Sequence, residues 1–187
     1  MTEGILALLD SRSFGSIWFW LVLALVWSLA GRRIAGVPFD IAQKARHLPK
    51  DGPDDPAAIL LLDWLSLTLP RWVIGRPEAL LLLFAATFVL SALVILGFVY
   101  GLEMAQALAL LILPFAALLP LEIRLAHRLS LLVEAAVRGD LSLNGAAGQA
   151  SRLMSRHRAL ITGLSILVVA VTAYRAALWF LDHPFGF

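Results

Sequence analysis

Four long apolar runs govern what this chain can fold into. The hydrocarbon core of a bilayer is about 30 Å thick and a helix rises about 1.5 Å per residue, so one crossing takes about 20 apolar residues. Phe14–Ala30 is uncharged and contains IWFWLVLALVW, and Ala79–Tyr100 runs 22 residues without a charge. Met104–Leu121 gives 18 residues, with Pro114 and Pro120 within it, and Ala159–Leu181 gives 23, interrupted only by Arg175. At that depth no water serves the backbone amides, so uncharged runs of this length are expected to be helices rather than open strands. Only 15% of the chain is charged and 60% is hydrophobic, which excludes both a water-exposed globule and a disordered chain. The expectation is an all-α polytopic membrane protein. It has a single membrane domain over 1–187, with spans at about 14–30, 79–100, 104–121 and 159–181.

The first run resembles a secretory signal in its length and in Ser28-Leu29-Ala30, but Glu3, Asp10 and Arg12 before it sum to −1 and the positive pair Arg32-Arg33 follows it. A signal peptide has the opposite polarity, so the run reads as an uncleaved anchor. Charge then orients the chain. Arg32, Arg33, Lys44, Arg46, Lys50, Arg71 and Arg76 fall in one link; Arg124, Arg128, Arg138, Arg152, Arg156 and Arg158 fall in the other. Together they make 13 of the 15 basic residues. Positive links stay on the cytoplasmic side, so links 31–78 and 122–158 are expected inside and both termini outside. Trp18, Trp20, Tyr100, Tyr174 and Trp179 then fall toward the outer interface, and Trp27, Trp64 and Trp72 toward the inner one.

Gly101 and Leu102 alone join the second and third runs, which forces an antiparallel hairpin with Gly101 suited to a left-handed helix end. In link 31–78 the basic amphipathic stretch IAQKARHL precedes a loop rich in Pro, Gly and Asp at 49–56. Asp55-Pro56 then reads as a helix start, a capping carboxylate followed by proline at the first helical position. The helix it opens, AAILLLDWLSLTL, is too short to span. It either lies in the inner interface, ended by Pro70, or packs on the bundle. Arg76-Pro77-Glu78 opens the second span in the same manner. Leu125, Leu129, Leu132 and Ala136 repeat at helical spacing, extending the third span as an amphipathic helix that ends at Arg138-Gly139-Asp140. Asn144-Gly145 reads as a turn and Ser151 as a cap for the helix leading into the fourth span.

The four histidines (His47, His127, His157, His183) lie in links or at the tail, so a haem held between spans is not expected. With no cysteine, thiolate metal sites and cysteine nucleophiles are excluded, and no phosphate-binding loop, HExxH or nucleophile elbow is present. No catalytic residue, cofactor or metal is therefore assigned. Arg175, about 9 Å below the outer end of its span, is the one charge well inside a run, and Glu103 and Gln106 are within reach. An arginine tied to Glu103 and locking spans three and four is the favoured reading; a substrate or proton site is the other. Gly97 and Gly101, and Ala173 and Ala177, are spaced for close helix packing. The basic inner face (Arg32, Arg33, Lys44, Arg46, Arg152, Arg156, Arg158) is explained for the most part by setting topology, and is otherwise suited to anionic lipid or an acidic protein partner. It lacks the interleaved aromatics that nucleic-acid binding needs.

Three stretches carry a resemblance: RSFGSIWFW at 12–20, AGVPFDIAQKAR at 35–46 and LGFVYGLEMAQA at 96–107. They resemble uncharacterised bacterial membrane proteins labelled as a component of the SufBCD complex. The resemblance brings no catalytic residues. It implies a bacterial inner-membrane protein that partners a cytosolic iron–sulfur assembly machine through a surface at 37–50 and 124–158. With no cysteine and no histidine expected to be buried, the chain itself would not hold the cluster. The leading expectation is a non-enzymatic anchor or accessory subunit for a cytoplasmic partner or a larger membrane complex. The alternative is a small transporter, or accessory subunit of one, using Glu103, Gln106 and Arg175.

Overall fold

A computed structural model describes residues 13–49, 52–73 and 75–182; the charges at Glu3, Asp10, Arg12, Lys50 and His183 lie outside the described residues. The elements run α1 (Ile17–Ala30), β1 (Arg33–Ile34), β2 (Val37–Pro38), α2 (Phe39–Lys44), α3 (Pro56–Thr68), α4 (Arg76–Val94), α5 (Glu103–Val137) and α6 (Leu143–Asp182). The fold is helical apart from the two short strands. These form a hairpin, unforeseen in the sequence, that pairs Ile34 with Val37 across Ala35 and Gly36, both at positive φ (51° and 84°). Two positive-φ residues match the right-handed twist of the strands, and the turn buries Ile34 and Val37.

Three helices, Arg76–Val99, Glu103–Val137 and Leu143–Leu181, are long and apolar enough to cross a membrane. The first expected span forms only α1, whose 14 residues reach about 21 Å, short of the hydrocarbon core. None of the apolar window of Arg76–Val99 is buried within the protein, against 28% for that of α5. A helix apolar on every face and covered on none is one whose surroundings are themselves apolar.

The chain divides into two units, one made of the described parts of 1–27, 76–117 and 163–187, the other of 28–75 and 118–162. In the second unit, α3 turns Ala58, Leu61, Leu65 and Thr68 inward at three- and four-residue spacing, while Ile59, Leu60, Trp64 and Leu67 stay exposed. The packed reading of this segment therefore holds for one of its faces, and the other remains apolar and uncovered. Its start is as expected: the Asp55 carboxylate accepts from the Ala57 amide at 2.8 Å, with Pro56 as first helical residue.

Link 122–158 is helical on both sides of a short turn, as the spacing of its leucines leads one to expect for its first half. α5 ends in a Schellman motif, the Asp140 amide donating to the Ala135 carbonyl and the Gly139 amide to Ala136, with Gly139 at φ 80°. α6 then begins at Leu143, so Asn144 and Gly145 belong to its first turn rather than to a free turn. The cap is Ser142, whose Oγ accepts from the Gly145 amide at 3.2 Å; Ser151 lies in the helix interior and is fully buried. Asn144 is buried because its amide is used at both ends. Oδ1 accepts from the Asp55 amide at 3.0 Å and Nδ2 donates to the Pro53 carbonyl at 2.9 Å, tying the start of α3 to the start of α6. Asn144→Ala is expected to lower stability by about 1–2 kcal/mol in thermal unfolding of the detergent-purified chain, since the freed Pro53 carbonyl is at the surface and takes water.

Candidate functional site

The polar cluster of Glu103, Gln106 and Arg175 belongs to the first unit. α4 widens into a π-helical turn at Ile95–Val99, where the Tyr100 amide donates to the Ile95 carbonyl and the Leu102 amide to Leu96. Gly101 follows at φ 74°, the left-handed end expected of it, and α5 begins at Glu103. The Gly97 carbonyl accepts from Gln106 Nε2 at 2.8 Å, and Gln106 Oε1 accepts from Arg175 Nη2 at 3.2 Å. The Arg175 guanidinium also lies 5.5 Å from the centre of the Phe98 ring.

Glu103 plays a different part from the one expected. It is buried, and its carboxylate accepts the Phe14 amide ahead of α1, while Trp20 Nε1 donates to the Phe14 carbonyl at 2.9 Å. Among the described residues Arg175 and Glu103 form no ion pair, so the lock between α5 and α6 runs through the Gln106 amide. The reason is local: Phe14 lies ahead of α1, so its amide has no turn of helix before it to bond, and a buried amide takes the nearest acceptor. The Phe14 ring packs with Ala107, Ala176, Phe19, Trp20 and Trp179. The small residue that permits close approach on α6 is thus Ala176, whereas Ala173 and Ala177 are exposed. Trp18, Tyr100 and Tyr174 stand exposed; Trp27 does not, its ring lying 4.6 Å from Phe115.

The basic face belongs to the second unit, and all seven of its residues are exposed. The segment 39–47 lies along α6: the Ala45 carbonyl is 3.8 Å from where a Cβ on Gly148 would stand, and the Arg158 guanidinium sits 4.1 Å from the centre of the Phe39 ring. This brings Arg46 to Arg152 and Arg156 around an open cavity of about 440 Å³, completed by Ser155 and Ala159. A second cavity of about 610 Å³ shares Arg152 and Arg156 and adds Arg128, Gln149 and three leucines. Arg32, Arg33 and Lys44 line neither. Arg128 and Ser155 were not singled out from the sequence. Their signal was in the spacing, Arg128 being one of two arginines four apart on the extension of α5 and Ser155 one residue from Arg156.

No known family, curated protein or solved structure matches this chain.

One part-buried polar pair was also missed. His157, expected at the surface of a link, is buried and lies 2.9 Å by Nε2 from Glu122 Oε1. The signal was legible in the helix register: His157 falls on the stripe Ala147, Ala150, Met154, Ile161, and Glu122 on the stripe Leu118, Leu125, Leu129. A third cavity, of about 620 Å³, runs between the end of α3 and α5 past Trp72 and His127. Its two serines, Ser66 and Ser130, each donate to a carbonyl three residues back in their own helix, at 2.8 Å. Among the described residues no three His, Asp or Glu side chains gather as a metal site.

Proposed function

We propose that this chain is a non-enzymatic integral protein of a bacterial inner membrane that anchors or supports a cytoplasmic partner on its basic face. One observation carries the reading. Three helices have the length and apolar character of spans, and α4 buries none of its residues among the described ones, leaving Leu80, Leu81, Leu82, Leu83, Phe84 and Phe88 exposed around its circumference. In this reading residues 14–30 cross as well, the shortness of α1 being met by local thinning of the bilayer and by the flanking Arg32 and Arg33 reaching to headgroups. The arginine-rich links 31–78 and 122–158 lie in the cytoplasm and both termini outside. The exposed apolar face of α3 then rests in the inner interface. The resemblance at 12–20, 35–46 and 96–107 supports iron–sulfur assembly subunits as the partner. A lock role for Arg175 is favoured over transport because both ends of the Gln106 amide are already bonded within the protein.

The absence of native cysteine makes the test clean. Leu102→Cys is expected to react with a membrane-impermeant maleimide in intact cells, and Asp140→Cys only after permeabilisation. The reverse pattern, or labelling of both from outside, refutes the topology. Detergent extracts at physiological salt should retain assembly subunits on the wild-type chain, and lose them when Arg32 and Arg33 are both changed to Glu. Recovery of none on the wild type ends the partner reading.

A further inference from the structure

We infer that the cavity formed by Arg46, Arg152, Arg156 and Ser155 binds a phosphate ester, which the headgroup of an anionic phospholipid or a soluble organic phosphate would supply. Three arginines line one open cavity of about 440 Å³, and none of them forms an ion pair among the described residues. Arg152 and Arg156 are four apart on one helix face, where like charges destabilise each other. The fold nevertheless holds the third against them through the close approach of Ala45 to Gly148 and the stacking of Arg158 on Phe39. Among the described residues no acidic side chain lines either adjoining cavity. The hydroxyl of Ser155 is buried at the wall and has no hydrogen-bond partner among the described residues, although a buried hydroxyl ordinarily has one. An oxyanion satisfies all of these groups together: guanidinium forks pair with phosphate oxygens two bonds at a time, and the serine donates to a remaining oxygen.

The surroundings favour a phosphate carried on an apolar body. Ala159, at the wall of the arginine cavity, is the first residue of the apolar run 159–181, so the guanidiniums sit within about two turns of the start of that run. The neighbouring cavity continues past Arg152 and Arg156 to Leu131, Leu132 and Leu153. Basic pockets beside membrane helices on the inner side are where anionic headgroups bind. The lipid source rests on the membrane placement proposed above, whereas the soluble source does not, and the labelling of Leu102→Cys and Asp140→Cys tests that placement separately.

The full chain, purified in neutral detergent, is titrated with phosphatidylglycerol, phosphatidylcholine and glycerol 3-phosphate, and bound adducts are counted by native mass spectrometry. Phosphatidylglycerol is expected to outbind phosphatidylcholine, and Arg46→Ala, Arg152→Ala or Arg156→Ala each to weaken it about tenfold. Ser155→Ala is expected to weaken it several-fold with no fall in the unfolding temperature, since that hydroxyl has no partner among the described residues. Glycerol 3-phosphate binding as tightly as the lipid assigns a soluble ester, and much weaker binding assigns the lipid; both uphold the site. Equal affinity for phosphatidylcholine with no glycerol 3-phosphate binding overturns it. So does a loss in Arg124→Ala, an exposed arginine of α5 outside both cavities, equal to that in Arg152→Ala.

Discussion

Gly97→Ala is expected to cost about 3 kcal/mol of stability, with loss of the native unfolding transition in detergent at temperatures the wild type withstands. A Cβ at this position would stand 2.7 Å from the Gln106 amide nitrogen and 2.9 Å from both the Ala105 carbonyl carbon and Gln106 Cα. All three are backbone atoms of α5, so no side-chain rotation relieves the clash and the helices must separate. Separation also stretches the bond from Gln106 Nε2 to the Gly97 carbonyl, and with it the link onward to Arg175. Gly163→Ala, in α6, is the matched control. Nothing lies within 4 Å of its Cβ position, and removal of a helix-interior glycine is expected to be neutral or stabilising by up to about 1 kcal/mol. Equal behaviour of the two variants would show that the hairpin is not tightly closed at Gly97.

What could be read from the sequence was whatever depends on neighbours along the chain. Three of the four apolar runs, the Asp55-Pro56 start, the left-handed Gly101 and the stop at Arg138-Gly139-Asp140 are all decided within a few residues, and each stands where expected, whereas the first run forms a helix too short to span unaided. Pairings across the fold were not legible. Glu103 was assigned to Arg175 because opposite charges attract, but the nearer claim came from a backbone amide 89 positions away. Serine 151 was read as a cap from its residue type, although Ser142, equally eligible, sits where the Schellman turn hands the chain to the next helix. The basic face was visible as charge. Its division into a cavity (Arg46, Arg152, Arg156) and residues outside it depends on how segment 39–47 lies along α6, which composition does not encode.

The part-buried pair Glu122–His157 gives the second large effect, and its sign depends on how many partners are removed. His157→Leu leaves a carboxylate in the interior whose Oε1 has lost its donor and whose Oε2 already has none, at an expected cost of about 3–5 kcal/mol. Glu122→Leu leaves only an imidazole nitrogen unpaired, at about 1–3 kcal/mol. Changing both to leucine removes the desolvated groups together and is expected to return stability to within about 1 kcal/mol of wild type. A double-mutant cycle should therefore show a coupling of at least about 2 kcal/mol, whereas additive single effects would mean the pair is solvated and incidental. The pair also bears on the basic face. A helix advances about 100° per residue, so a histidine held on the inner stripe of α6 sends Arg156 and Arg158 out on its two flanks. With both residues as leucine, the stripe stays apolar but loses the hydrogen bond that fixes this part of α6 against α5. The double variant is accordingly expected to remain folded while binding the anionic ligand of the Arg46–Arg152–Arg156 cavity less tightly, a separation that a role in stability alone would not produce.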